Sequence, residues 1–121
     1  MNESQSLGQK GENEAAIYLE KKGYRIRHRN WKSGKLELDI VAENRDYVVF
    51  VEVKTRTGEL IIQPRVIVPK LKQDSIIFAA EGYVKRYNLD KESRFDIITV
   101  VAKDNKFEIE HIEEAFYPTL K

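Results

Sequence analysis

Two apolar runs separated by a short polar turn constrain this chain more than any other part of its sequence. The runs span residues 36–42 and 47–56, and Asn44, Arg45 and Asp46 lie between them. Most of their apolar residues are valine, isoleucine, leucine or phenylalanine, which are typical of strands with at least one buried face. The pattern predicts a β-hairpin at the centre of the fold.

Side chains alternate between the two faces of a strand, and this alternation groups four charged residues that interrupt the two apolar runs. Glu37 and Asp39 share one face of the first strand, and Glu52 and Lys54 share one face of the second. The opposite face of the first strand is predicted to carry Leu36, Leu38 and Ile40. A two-residue turn would place Asp39 opposite Glu52. The same register would set Glu37 opposite Lys54, so that three carboxylates and one ammonium group crowd one patch.

A divalent cation offers one explanation of this patch, because like charges directly opposite one another destabilise a sheet. Mg²⁺ or Mn²⁺ would bind carboxylate oxygens and would suit the hydrolysis of phosphate esters. Lys54 could then orient a water molecule or stabilise negative charge on a phosphate. The alternative is an ordinary half-exposed hairpin in which Lys54 pairs with Glu37 and Asp39 faces solvent.

The composition fits a single globular domain that spans residues 1–121, with 41% hydrophobic and 34% charged residues. The chain has no cysteine, which excludes disulfides and thiolate chemistry. Its first six residues lack the basic start and the apolar core of a secretion signal. No apolar run approaches the roughly 18 residues of a membrane helix. We therefore expect a cytoplasmic protein that is not associated with a membrane.

Charge is distributed unevenly along the chain. Residues 21–35 contain seven lysines and arginines and no acid, whereas residues 107–116 contain four glutamates. The basic stretch is typical either of a surface that binds phosphates or of a solvated edge strand. Within it, residues 24–31 alternate like a strand, with the arginines on one face and an apolar opposite face that includes His28. We expect His28 to be a hydrogen-bonded core residue and not a metal ligand.

Two helices are predicted from the apolar spacing. The first begins after a serine cap at position 4 or 6 and ends at Gly23, and Gly8 and Gly11 indicate that it packs closely on a sheet. Glu12, at the margin of its buried face, either is solvated or points toward the carboxylate patch. The second helix begins at Pro69 and has two lysines in its first turn, which could bind an anion or could be ordinary surface residues.

Two further strands, at residues 94–101 and 106–112, follow the second helix and are joined by a turn at residues 104–105. A loop at residues 57–68, with a possible edge segment at 60–62, precedes that helix. The order of elements is helix, three strands, helix and two strands. This order predicts an α/β sandwich with a mixed sheet flanked by helices.

These residues resemble two known groups of proteins. Asp39, followed on the next strand by Glu52-Val53-Lys54, is similar to the acid and Glu-x-Lys signature of restriction-endonuclease-like nucleases. Between residues 8 and 116 the chain more closely resembles the YraN family of small bacterial proteins, although Leu36 stands where that family commonly has glycine. The motifs that carry this resemblance are Gly11-Glu12, Arg29-Asn30-Trp31, residues 37–42, residues 50–56, Lys72-Gln73 before Ala79-Ala80, and Arg94-Phe95-Asp96.

The resemblance implies a restriction-endonuclease-like fold with a helix-strand-strand-strand-helix-strand core. It also implies a metal-dependent nuclease that uses Mg²⁺ or Mn²⁺ and acts on nucleic acid, on DNA in preference to RNA, and on branched or structured DNA in particular. The implied catalytic residues are Asp39, Glu52, Lys54 and Glu12, and the implied metal ligands are Asp39, Glu52 and Glu37. The expected phosphate-binding residues are Arg25, Arg27, Arg29, Arg56, Lys70 and Lys72.

Two other functions remain open from the sequence. The chain could be a nucleic-acid-binding module that kept the fold without turnover, or a structural adaptor. The three intact residues Asp39, Glu52 and Lys54 favour the nuclease, and the basic stretch disfavours the adaptor. The sequence leaves the oligomeric state open.

Overall fold

The fold consists of two helices and five strands, in the predicted order of helix, three strands, helix and two strands. A computed structural model describes residues 6–58 and 68–118, so the edge segment expected at residues 60–62 lies outside the described residues. The elements are α1 (Leu7–Lys21), β1 (Arg25–Ser33), β2 (Leu36–Glu43), β3 (Tyr47–Thr57), α2 (Lys70–Arg86), β4 (Glu92–Lys103) and β5 (Lys106–Phe116).

The five strands form one mixed sheet in the order β1-β2-β3-β4-β5. Neighbouring strands are antiparallel except for β3 and β4, which are parallel and are connected through α2. The two helices pack on opposite faces of the sheet, which confirms the predicted α/β class and mixed sheet. Neither helix in the described part of the chain is long and apolar enough to cross a membrane.

Each face of the sheet has its own apolar core. On one face, Ala15 and Leu19 of α1 pack on Ile40 and Val49. On the other face, residues from α2 pack on the sheet around the buried Tyr83. Alternating strand residues thus serve two cores, which explains why the central strands read as almost continuously apolar.

Helix α1 begins and ends as its sequence predicts. Ser6 and Gln9 form a capping box, and Gly23 adopts a φ of 99° just beyond the helix. Gly11 packs so closely on β3 that a side chain there would collide with the hydroxyl of Thr55. A side chain at Gly8 would meet only the hydroxyl of Ser6, at an ordinary contact distance of 3.9 Å, so the prediction of close packing is confirmed for Gly11 and wrong for Gly8.

The β2–β3 hairpin has the predicted register, with Ile40 paired to Val51. Its two-residue turn lacks glycine, but the side chain of Asn44 accepts hydrogen bonds from the backbone N–H groups of the next residues and stabilises the reversal. The ladder ends at the pair of Ile40 and Val51. The prediction that Asp39 and Glu52 are directly opposed strand partners is therefore wrong.

Strand β2 changes faces at Asp39. Leu38 lies in the core beneath α2, whereas Ile40 lies in the core beneath α1, so the prediction that they share a face is wrong. The change of face coincides with an irregularity in β1, where Asn30 has a φ of 52° and where neither Asn30 nor Asp39 is among the paired residues, although the register is the same on both sides. An asparagine tolerates this left-handed conformation better than most residues.

A bulge between Ile26 and His28 changes the faces of β1. As a result, Arg27 and His28 both hydrogen-bond the hydroxyl of Tyr83 of α2, whereas Arg29 contacts α1 on the other face. The prediction that the arginines of β1 share one face is therefore wrong. The expected hydrogen-bonded role of His28 is confirmed by its 2.7 Å contact with Tyr83.

Candidate active site

A cleft of about 710 Å³ opens between the first turn of α1 and the adjoining parts of β2 and β3. It brings together Glu12, Asp39 and Lys54, which are distant in sequence. Glu52 adjoins the cleft through its contact with Lys54. The charged residues that line the cleft are Glu12, Lys32, Glu37, Asp39, Lys54 and Arg56.

Asp39 sits where β2 changes faces and is held by the neighbouring strand. Its Oδ2 accepts a hydrogen bond from the backbone N–H of Val53 at 2.9 Å. Burial raises the pKa of Asp39 to about 7, and the negative charges of Glu52 and Glu12 act in the same direction. The Val53 hydrogen bond and the ammonium of Lys72 oppose this rise. Asp39 is therefore a carboxyl group that is poised to lose its proton near neutral pH.

Glu52 is the most buried carboxylate of the site, with 8% of its side chain exposed. Its Oε2 lies 3.4 Å from Nζ of Lys54 and 3.7 Å from Nζ of Lys72. Lys72 belongs to the first turn of α2, which the side chain of Gln73 fastens by donating to the carbonyl oxygen of Val68. The sequence allowed the two lysines in the first turn of α2, Lys70 and Lys72, to be ordinary surface residues. In the structure, Lys72 reaches the buried Glu52.

Glu12 reaches the site from α1. Its Oε1 accepts hydrogen bonds from Nδ2 of Asn30 at 2.9 Å and from the guanidinium of Arg29 at 3.1 Å. Only 12% of its side chain is exposed. Glu12 therefore lines the same cleft as Asp39, and the solvated alternative is wrong.

The carboxylates suit a hard divalent cation in their chemistry. Oδ1 of Asp39 and Oε2 of Glu12 have no hydrogen-bond partner within residues 6–58 and 68–118, and the negative charges of Glu52 and Glu12 disfavour ionisation of Asp39. A cation beside them would remove that penalty. Glu37 lines the same cleft but is exposed at its rim. In the described segments, no three acidic or histidine side chains converge into a complete ligand set.

The predicted phosphate-binding residues lie at different distances from the cleft. Arg56 lines it and is exposed, Arg29 borders it through its contact with Glu12, and Lys72 contacts the buried glutamate. Lys70, unlike Lys72, forms an ion pair with the exposed Asp74, at 2.8 Å.

Arg25 and Arg27 lie at the far end of β1. Both contact Glu43, which also forms an ion pair with Lys91. Burial alone would raise the pKa of Glu43, but hydrogen bonds from Arg25 and Lys91 hold it below its usual value. Glu43 is four residues from Asp39, about 13 Å along a strand that rises about 3.3 Å per residue. These two arginines are therefore not part of the cleft.

A second polar cluster lies on the α1 side of the sheet and has a structural role. Asp96 is fully buried and accepts hydrogen bonds from Arg94 at 2.8 Å and from His111 at 2.7 Å. Burial alone would raise the pKa of Asp96, but hydrogen bonds from these two residues hold it below its usual value. Tyr18 hydrogen-bonds the other nitrogen of His111 and so fastens α1 to β5.

The sequence patterns did not predict the structural roles of two residues, Asn30 and Asp96. Asn30 stands in a predicted strand, and its tolerance of positive φ was the available signal. Asp96 stands in an otherwise apolar strand two residues after Arg94, and this spacing places both side chains on one face, where they can pair.

The chain is similar over most of its length to one family of proteins. Residues 11–100 match the model of a family described as uncharacterised protein family UPF0102. A UPF0102 protein of Bacteroides thetaiotaomicron is 51% identical over 122 residues and covers 99% of both chains. UPF0102 proteins of Phocaeicola vulgatus and Flavobacterium psychrophilum are 49% and 42% identical, over 99% and 97% of this chain and 99% and 98% of their own lengths.

Proposed function

This chain belongs to the uncharacterised protein family UPF0102, which is the YraN family that its motifs resemble, and we propose that it is a metal-dependent nuclease. The observation that carries the proposal is the placement of Asp39, whose pKa is raised by burial and by two neighbouring glutamates, in a cleft beside Lys54. Acidic groups with shifted pKa values in a cleft are typical of active sites.

The fold supports the same proposal. We infer a restriction-endonuclease-like fold because α1, three strands, α2 and β4 follow the implied helix-strand-strand-strand-helix-strand order. The parallel neighbours β3 and β4 place the strand that carries Glu52 and Lys54 near the middle of the sheet. A fold does not fix an activity, so the site residues carry the functional argument.

Each carboxylate and lysine of the site has a distinct role in the proposed reaction. Asp39 and Glu52 would hold Mg²⁺ or Mn²⁺, with Glu12 completing the acidic cluster and Glu37 supplying a further carboxylate at the rim. When bound, the cation would neutralise phosphate charge and favour ionisation of a water molecule. Lys54 would orient the attacking water or stabilise the charge that develops on the phosphate.

Binding of nucleic acid would depend on cations around the cleft. Arg56 and Lys32 line it, and Arg29 and Lys72 border it. None of these side chains forms a paired arrangement suited to reading bases, so we expect contacts with phosphates. DNA, in particular branched or structured DNA, is the proposed substrate.

One observation favours a second candidate, a nucleic-acid-binding module without turnover. Lys54 and Lys72 already place positive charge beside Glu52, so they can neutralise this carboxylate without a metal. In that case the two lysines would be structural counter-ions. Metal binding separates the two candidates, because only the nuclease requires a cation at Asp39 and Glu52.

The test combines calorimetry with a cleavage assay. The protein is titrated with Mg²⁺ and Mn²⁺, and linear, flapped and four-way-branched DNA and structured RNA are then incubated with each metal. We expect a metal-binding signal that Asp39→Ala abolishes, and cleavage of at least one DNA substrate. Asp46→Ala, which alters an exposed aspartate of the hairpin turn, is the control. Equal metal affinity in wild type and Asp39→Ala, or no cleavage of any substrate, would refute the nuclease.

A further inference from the structure

Asn30 combines an unusual backbone conformation with a contact at the candidate site. Its φ of 52° lies in the left-handed region, although it stands inside a strand. The other described asparagines with positive φ, Asn88 and Asn105, lie in turns, where this conformation helps the chain to reverse. Asn30 reverses nothing, so its conformation requires another explanation.

The conformation of Asn30 coincides with the break that frees Asp39. Strand β1 pairs with β2 on both sides of Asn30, but Asn30 and Asp39 themselves are not paired. The irregularity therefore involves both Asp39, whose carboxylate lines the cleft, and Asn30, whose side chain reaches Glu12 of α1.

The side chain of Asn30 donates a hydrogen bond to Oε1 of Glu12 at 2.9 Å. Arg29 donates to the same oxygen, but it also bonds Asn13 and is 36% exposed, so solvent competes for it. The amide of Asn30 differs from the guanidinium in one further respect. As a neutral donor on a short side chain, it can fix a carboxylate without cancelling the charge that a cation requires.

We propose that Asn30 is a positioning residue that holds Glu12 beside Asp39, so that the second carboxylate oxygen of Glu12 remains available to a divalent cation. The inference rests on the proposed metal-dependent function and adds to it the residue that fixes the carboxylate from α1. In this proposal Asn30 acts on the cation through Glu12 and is not itself a ligand.

Asn30→Gly tests the proposal with little risk to the fold, because glycine adopts the same positive φ without strain. Mn²⁺ is the probe, and its affinity is measured by calorimetry. We expect Asn30→Gly to weaken binding by about tenfold, the lower range for loss of a hydrogen bond that orients a metal ligand. Asn88→Gly, which changes an exposed asparagine of nearly the same φ beyond α2, should bind Mn²⁺ like wild type.

A double-mutant cycle shows whether Asn30 acts through Glu12. If it does, Asn30→Gly has no further effect on Mn²⁺ affinity in a protein that already carries Glu12→Ala. Equal affinity of Asn30→Gly and Asn88→Gly overturns the proposal, as does a full additional loss in the Glu12→Ala background. Wild-type protein that binds Mn²⁺ but cleaves nothing contradicts the nuclease and leaves this inference intact. Wild-type protein that binds no Mn²⁺ overturns both.

A second measurement covers the case in which Asn30→Gly does not fold. In wild-type protein, the side-chain amide protons of Asn30 should exchange slowly with water, because one of them is bonded to Glu12. NMR of the Glu12→Ala protein should show fast exchange of the same protons. Unchanged exchange would mean that the contact does not hold Glu12 in solution, and the proposal would fail.

Discussion

The backbone N–H of Val53 donates to the carboxylate of Asp39 at 2.9 Å, at the point where the ladder between β2 and β3 ends. Oδ2 of Asp39 accepts the hydrogen bond that a backbone carbonyl of the neighbouring strand would accept in a regular ladder. The hydrogen bond therefore satisfies a partly buried donor of the sheet and at the same time fixes a carboxylate at the cleft. Because Asp39 lies where β2 changes faces, its pKa is affected by the charge of Glu12 of α1 and also by that of Lys72 of α2.

The raised pKa of Asp39 predicts how stability depends on pH. Burial first, and then the charge of Glu52, raise this pKa to about 7, whereas an aspartate in an unfolded chain titrates near about 3.9. Between these values the folded state binds more protons, so its free energy of unfolding falls as pH rises. The stabilising contribution is complete below about pH 4 and is lost as the pH rises through 7.

Asp39→Asn isolates this effect, because asparagine keeps an oxygen for Val53 and has no charge. The mutant should match wild type near pH 4 and exceed its free energy of unfolding by on the order of 2 kcal/mol at pH 8, with part of the shift screened at the cleft. Urea denaturation at several pH values measures the difference. Asp46→Asn should change stability little at any pH, and a constant difference between Asp39→Asn and wild type would contradict the prediction.

The buried Arg94–Asp96 pair predicts the opposite dependence on pH. Because hydrogen bonds from His111 and Arg94 hold the pKa of Asp96 below its usual value, its contribution is present above the pKa of an unfolded aspartate and is lost as pH falls. Asp96→Asn leaves the buried guanidinium without its counter-charge, so we expect a loss of about 3 kcal/mol at pH 7. Urea unfolding measures this loss, and Asp104→Asn in the exposed β4–β5 turn is the control.

The outcome for Asp96→Asn also separates a structural from a functional role. Metal affinity at the cleft should be unchanged in the fraction of molecules that remains folded. The reason is that Asp96 belongs to a separate hydrogen-bonded cluster, which includes Tyr18, Tyr24 and His111. A mutant as stable as wild type, or one that is stable but binds no metal, would show that this cluster does something other than fasten α1 to the sheet.

The central hairpin could be predicted because its signals are local. Alternation and a two-residue turn give the register that pairs Ile40 with Val51, and Asn44 supplies the turn with hydrogen bonds. The capping box of α1 and the proline before α2 are equally local. These features therefore depend on few neighbours in space, and sequence spacing describes them well.

The geometry of the site could be predicted only in part, because it depends on exceptions to alternation. The positive φ of Asn30 inside a strand accompanies a hydrogen bond from its amide to Glu12, which lies 18 residues earlier in the chain. The bulge before His28 likewise moves Arg29 to the opposite face from its predicted neighbours. Each exception is stabilised by a tertiary contact, which spacing along the chain does not reveal.

Arg56 provides a test of electrostatic binding to nucleic acid. It is exposed, lines the cleft and hydrogen-bonds only the carbonyl of its own neighbour, Thr55, within the described residues. Arg56→Ala should weaken binding to DNA of any sequence and reduce the slope of log affinity against log salt by about 1. Fluorescence anisotropy over a salt series measures both.

Lys21→Ala is the matched control for Arg56→Ala. Lys21 is an exposed cation at the last turn of α1, about 20 Å from the first turn that borders the cleft, given a rise of about 1.5 Å per residue. It should change affinity and salt dependence little. If the two mutants behave alike, phosphates do not bind preferentially at the cleft.

Lys54 provides the sharpest test of chemistry, because its proposed role lies in the transition state. Its ammonium is 3.4 Å from Glu52 and borders the same cleft as Asp39, so it can meet the attacking water or the charge that develops on the phosphate. An interaction made only in the transition state lowers turnover without lowering affinity. Lys54→Ala should therefore reduce cleavage at least about 100-fold and leave Mn²⁺ affinity within about threefold of wild type.

Two comparisons make the Lys54 experiment decisive. Lys70→Ala removes an exposed lysine whose partner is Asp74, and this mutant should cleave like wild type. Glu52→Gln should lower metal affinity and turnover together, because Glu52 is proposed to hold the cation. If Lys54 and Glu52 were only a structural ion pair, both mutants would lower stability, because Glu52 is buried, and would leave cleavage unaffected. Cleavage by Lys54→Ala at the wild-type rate would therefore exclude Lys54 from the reaction.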